Sequence, residues 1–129
     1  LGALYGDDGS GAFNLDEVNV PRAAFVIAYV DQEIAGCGAL RPMSETTVAE
    51  IKRVYVRPAM RGKGVSRRIM AALEDKAKEF GYDMLRLETG IYQPEAIGLY
   101  ESSGYRRIDC YGEYDGEDLS VCFEKIIQT

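Results

Sequence analysis

VYVRPAMRGKGVSRRIMAALEDKAKEFG, residues 54–81, is the stretch that decides the fold. Three β-favouring residues run into Pro58, which cannot donate to a strand ladder and biases Arg57 to extended geometry, so a strand ends there. A glycine-broken basic turn follows. Val65, Ile69, Ala72, Leu73, Ala77 and Phe80 then recur at helical spacing, and Gly81 supplies the left-handed stop of a helix. The turn RGKGVS (61–66) therefore lies between a strand and a helix, where backbone N–H groups converge at the positive end of the helix dipole. Gly62 and Gly64 let the backbone approach an anion without β-carbons intervening. Together these features read as a phosphate or pyrophosphate cradle. The plainer alternative is a basic helix start with Arg67 and Arg68 solvated.

Upstream of this stretch, residues 23–30 and 33–43 read as two antiparallel strands of a hairpin joined through Asp31-Gln32, after a loop at 6–11 (GDDGSG). A third strand spans 48–56, and simple alternation puts Glu50, Lys52, Val54 and Val56 on one face. Downstream, MLRLETG (84–90) reads as a buried strand. Pro94 fits a first helical turn, so 94–103 should be a short helix closed by Gly104. YRRIDCY (105–111) and LSVCFEKII (119–127) should form a last pair of strands around the loop GEYDGED. Antiparallel strands followed by strands alternating with helices imply an α/β (α+β) fold: a mixed, mostly antiparallel central sheet with helices on both faces.

The 129 residues fit a single domain, since domains commonly run to about 100–150 residues. No apolar run approaches the roughly 20 residues of a membrane helix, and the first residues lack the pattern of a secretory signal, so a cytoplasmic chain is expected. With no histidine, Ser-His and Cys-His catalysis and histidine-built metal sites are excluded. Cys37, Cys110 and Cys122 are odd in number and not closely spaced, so all three are expected to be reduced and structural. A net charge of −6 argues against general nucleic-acid binding. The distribution is uneven: seven basic residues and no acidic one lie between Lys52 and Arg68, while residues 1–50 carry eight acids against two arginines. The basic strip suits an anion and the acidic remainder a cation.

Two other phosphate cradles fail. A Walker loop wants a hydroxyl residue where Gly64 follows Lys63, and the dinucleotide fingerprint wants a third glycine where Arg67 stands. The turn Arg61-Gly62-Lys63-Gly64-Val65-Ser66, together with Leu99-Tyr100-Glu101-Ser102-Ser103-Gly104-Tyr105, instead resembles the GNAT superfamily of N-acetyltransferases. That signature is a strand, [RQ]-x-x-G-x-[GA] opening a long helix, then a further strand and a short helix ending in Leu-Tyr-x-x-x-Gly-aromatic. The resemblance covers about residues 23–125 and is similar to a bacterial branch of small GNAT proteins.

The resemblance implies that acetyl-CoA is the co-substrate, its pyrophosphate on Arg61, Gly62, Lys63, Gly64, Val65 and Ser66, with no metal required. It implies that Val54, Tyr55 and Val56 border the pantetheine arm and thioester, a backbone N–H near Val56 polarising the carbonyl. Gln93 takes the place of the family's usual asparagine. Tyr100 stands where the family's general acid protonates the departing thiolate, and Glu50 at the spacing of a general base, with Glu88 as runner-up. The implied reaction is acetyl transfer to a primary amine, of a small molecule or a peptide, by direct attack in a ternary complex. A non-catalytic acetyl-CoA sensor is the alternative. No nucleic acid or membrane partner is implied, and a homodimer rests on family analogy alone. The family's helices before the first strong strand would be short here, LGALYG being the end of one.

Overall fold

The computed structural model of the chain describes residues 19–128; the expected loop at 6–11 and the helix end at LGALYG lie outside them. β1 (Ala24–Val30) and β2 (Glu33–Pro42) form the expected hairpin. Asp31 and Gln32 connect them with φ of 50° and 69°. Two positive-φ residues form the turn whose twist matches that of the flanking strands. β3 (Val48–Val56) lies antiparallel to β2, α1 (Val65–Glu79) follows the basic turn, and β4 (Met84–Gly90) returns parallel to β3. α2 (Pro94–Ser102), β5 (Arg106–Ile108) and β6 (Ser120–Ile126) complete a six-stranded sheet of order β1-β2-β3-β4-β6-β5. The mixed sheet is the one expected, although the strand read from YRRIDCY is only three residues long.

Two irregularities shape the middle of this sheet. First, Cys37 pairs with Tyr55 while Ala39 pairs with Lys52, so Arg53 and Val54 together face Gly38. This is a β-bulge, with Arg53 at φ 60°. It corrects the simple alternation expected for this strand: Glu50 and Lys52 lie on one face, but Val54 and Val56 are turned to the other. A Cβ built on Gly38 would meet Val54 at 3.5 Å beside Ile69 and Leu73 of α1, which puts Val54 on the helix side. Second, β3 and β4 pair only from Val48↔Met84 to Ile51↔Leu87. Beyond that point β3 stays with β2, while β4 continues against β6 to Gly90↔Ser120. The sheet opens like a fork.

α1 packs on the sheet through Val65, Ile69, Met70, Leu73 and Ala77. Gly36 and Gly38 permit this approach, because a Cβ on Gly38 would come within 2.7 Å of the Ile69 side chain. Tyr100 of α2 lies on Phe123 of β6 and edge-on to Tyr105, with centroids 5.8 and 6.0 Å away. Tyr105 donates to Glu74 of α1 at 3.0 Å, and Lys125 of β6 pairs with the same carboxylate at 3.1 Å. The two described helices thus share one face. The opposite face carries a polar network: Arg41 and Tyr111 on Glu50, and Arg86 and Arg106 on Glu124.

The cysteines depart from expectation. Cys110 and Cys122 form a disulfide with Cα atoms 5.1 Å apart, and only Cys37 is a buried thiol. The β5–β6 register is the reason: Ile108 pairs with Cys122, so the chain leaving β5 carries Cys110 back beside it. Twelve residues of separation conceal that proximity.

Candidate active site

The fork between β3 and β4 is a cleft that continues along the start of α1. Its inner part, about 350 Å³, is lined by the turn residues Gly62, Gly64 and Ser66 and by α2. Its outer part, about 960 Å³, is lined by Lys52, Arg53, Glu88, Glu113 and Tyr114 among others. Val54, Tyr55, Val56, Arg61, Gln93 and Tyr100 line both and form the waist between them.

The inner part has the chemistry of an anion cradle. Gly62 and Gly64 adopt φ of 80° and 78°, and a Cβ at either position would meet nothing within 4 Å, so the open space belongs to the turn itself. Gly64 is the N-cap of α1, with no side chain capping it and no acid in the first turn. A helix end left uncapped in this way presents donors to an anion. Val65 lines the cradle although its side chain is buried, which limits it to a backbone contribution. Lys63 is exposed and lines neither part.

The basic strip is not one surface. Arg57 donates to the Ile34 carbonyl, Arg61 to the Val56 carbonyl and Arg67 to Ser102 Oγ, at 2.9, 3.1 and 2.9 Å. Lys52 and Arg53 lie in the outer cleft.

The waist has an open backbone edge. The Arg57 N–H donates to the Ala35 carbonyl at 2.8 Å, on the β2 side. Alternation along a strand then turns the N–H of Val56 toward the fork. Tyr100 lies against this edge, 6% exposed. Burial, and secondarily the charge of Glu88, push its phenol up to about 12, so it holds its proton at neutral pH.

The two candidate carboxylates are placed differently. Glu88 lines the outer cleft and accepts a 2.7 Å hydrogen bond from Ser120 Oγ. Glu50 is 3% exposed and does not line it. Its Oε1 accepts from Arg41 Nε at 3.0 Å and its Oε2 from the Tyr111 hydroxyl at 3.0 Å. The structure therefore brings Glu88 and Tyr100 together and leaves Glu50 in a bonded cluster beside the cleft. Burial first, and then Glu50, hold the Tyr111 phenol well above its ordinary range. Sequence reading did not single out Lys52 and Arg53 as cleft residues. The available signal was Gly36-x-Gly38, which marks a close backbone approach opposite the bulge.

The profile of the acetyltransferase (GNAT) family matches residues 4–105. The chain belongs to that family. A relative from Azospirillum brasilense named "IAA acetyltransferase" is 34% identical over 97% of this chain and 82% of its own length. A crystal structure from Klebsiella pneumoniae, assigned as an acyl-CoA N-acyltransferase, is 39% identical with a TM-score of 0.79, covering 88% of this chain and 79% of that one. A GNAT acetyltransferase of Elizabethkingia anophelis with acetyl-CoA bound shares the fold at 21% identity and a TM-score of 0.69, over 81% and 76% of the two chains. This GNAT protein is accordingly an acetyltransferase. No helix among its described residues is long and apolar enough to cross a membrane.

Proposed function

We propose that this GNAT protein transfers the acetyl group of acetyl-CoA to an amine by direct attack in a ternary complex, at the waist of the β3–β4 fork. One observation carries the reading: a buried, protonated Tyr100 faces both parts of the cleft, with Glu88 as the carboxylate beside it. In this reading the Gly62–Ser66 backbone holds the pyrophosphate of acetyl-CoA, Arg61 and Gln93 flank it, and the pantetheine arm runs along the unpaired edge of Val54, Tyr55 and Val56. The N–H of Val56 polarises the thioester carbonyl as charge develops on oxygen.

Glu88 serves as the base in place of Glu50, whose two oxygens are engaged. An arriving ammonium loses a proton to Glu88, directly or through water, because without a lone pair nitrogen cannot attack. The N–C bond forms, the C–S bond breaks, and Tyr100 donates its proton to sulfur. The nitrogen sheds its second proton, Tyr100 is reprotonated from Glu88 or water, and one proton leaves in balance. The two residues are coupled: when Glu88 takes a proton, the charge that raises the Tyr100 phenol disappears and Tyr100 becomes a better acid. Glu50 acts as a positioning carboxylate, fixing Arg41 and Tyr111.

The test is thiol release from acetyl-CoA against a panel of polyamines, aminoglycosides, amino acids and lysine-containing peptides. Acceptor-dependent release with a matching N-acetyl product is expected. Tight acetyl-CoA binding with no acceptor-dependent release would refute the reading.

A further inference from the structure

The outer cleft carries a charge pattern opposite to that of the chain. The protein has a net charge of −6, yet this part of the cleft is lined by Arg41, Lys52 and Arg53 against Glu88 and Glu113. Arg41 is neutralised from behind by Glu50, at 2.9 Å. Lys52 makes a long ion pair, 3.6 Å, with Glu113 and lies 5.9 Å from the centroid of the Tyr114 ring, and the two partners of the pair differ in exposure: 18% for the lysine, 67% for the glutamate. A rim carboxylate that solvent screens is a replaceable partner for a half-buried ammonium. Arg53, at the bulge and with φ 60°, lines the same part of the cleft.

Register places these groups around one spot. Glu50 and Arg86 are partners on neighbouring strands, so Lys52 and Glu88, each two residues further along, share the same sheet face at the point where the ladder opens. Glu88 is held there by Ser120. A cation and an anion therefore stand on adjacent strands at the mouth of the acceptor half. Neither Lys52 nor Arg53 lines the cradle, where Arg61, Arg67 and the helix end lie. Their charges are thus directed at the acceptor and not at the phosphates of acetyl-CoA. A polyamine or an aminoglycoside would bring further ammonium groups against Lys52 and Arg53, an arrangement that like charges oppose.

We propose that the acceptor is a free amino acid, its amine delivered to Glu88 and its carboxylate received by Lys52 and Arg53. The assignment rests on the amine-acetylation reading above and names its substrate class. The exposed Glu113 is the group that the incoming carboxylate displaces from Lys52.

Paired probes test it: thiol release with L-lysine, L-phenylalanine and L-serine, each beside its decarboxylated counterpart, cadaverine, phenethylamine and ethanolamine. In each pair kcat/KM should favour the amino acid by at least about tenfold. Lys52→Met should remove most of that preference through KM, lower the KM for cadaverine, and bind acetyl-CoA by calorimetry as the parent protein does; Lys52→Arg should restore the preference. Decarboxylated amines used as well as the amino acids, or better, would overturn the proposal while leaving amine acetylation standing. A preference that survives Lys52→Met, or a loss of acetyl-CoA affinity in that variant, would overturn the assignment of Lys52. Release with neither series, acetyl-CoA being bound, would overturn the substrate class and the underlying reading together.

Discussion

Replacing Glu88 by glutamine separates the two carboxylates that sequence spacing left in competition. The substitution keeps the shape of the side chain and an oxygen to accept from Ser120, and removes the basicity. A positioned general base contributes roughly 10²- to 10⁴-fold, about 2.7–5.4 kcal/mol of transition-state stabilisation. One effect runs the other way. The Tyr100 phenol is pushed up to about 12 by burial first and by the charge of Glu88 second. Removing its charge lowers the Tyr100 phenol and makes it a better acid, the smaller of the two effects. The net expectation for Glu88→Gln is a fall in kcat/KM of at least about tenfold and up to about 10⁴-fold, with acetyl-CoA affinity retained. Its rate should also rise with pH wherever solvent must supply the free amine. Glu50→Gln, measured beside it, should cost about 1–3 kcal/mol of stability through its buried partners and less than about tenfold in kcat/KM. The assay is thiol release across pH with urea melts of both variants. The reasoning is refuted if Glu50→Gln shows the larger kinetic loss and Glu88→Gln stays near the parent.

Three further outcomes follow from the packing. Gly36→Ala would put a Cβ 2.3 Å from the Tyr55 carbonyl oxygen, a backbone atom of the cofactor edge, so about 1–3 kcal/mol of stability and some acetyl-CoA affinity should be lost in urea melts and calorimetry. Cys110→Ser opens the crosslink between residues 12 apart and should cost about 3 kcal/mol in urea unfolding under oxidising conditions, with no difference once reductant is present. Tyr100, Tyr105, Tyr111 and Tyr114 all hold their protons to higher pH in the folded chain, by burial first. The stability this provides is complete below pH 10 and is lost as pH rises from about 10 through about 12 for Tyr100; Tyr105→Phe should make the alkaline fall shallower.

The elements were legible in the sequence because their signals are local. Periodicity placed α1, proline and glycine set its borders, and the two turn glycines marked the cradle. Gln93 and Tyr100, which the family resemblance singled out, line the cleft waist. What remained hidden depends on pairing across the sheet. The bulge at Arg53 puts a non-glycine residue at φ 60°, which nothing in RVYV announces, and it separates Glu50 from Val54 by a face. The early end of the β3–β4 ladder opens the fork and brings Glu88 to it, and no single strand encodes that event. The disulfide likewise follows from β5–β6 register. Charge counted along the chain misled for the same reason, since Lys52 and Arg53 belong to the outer cleft and Arg61 and Arg67 to the inner one.

Tyr100→Phe tests the account most directly. The substitution keeps the ring packing on Phe123 and Tyr105 and removes only the hydroxyl that carries the proton. Turnover by thiol release and acetyl-CoA affinity by calorimetry should separate, with kcat falling about 10²-fold or more and Kd unchanged within about twofold. A variant that turns over like the parent protein would contradict proton donation by Tyr100, and with it the placement of the chemistry at the waist of the fork.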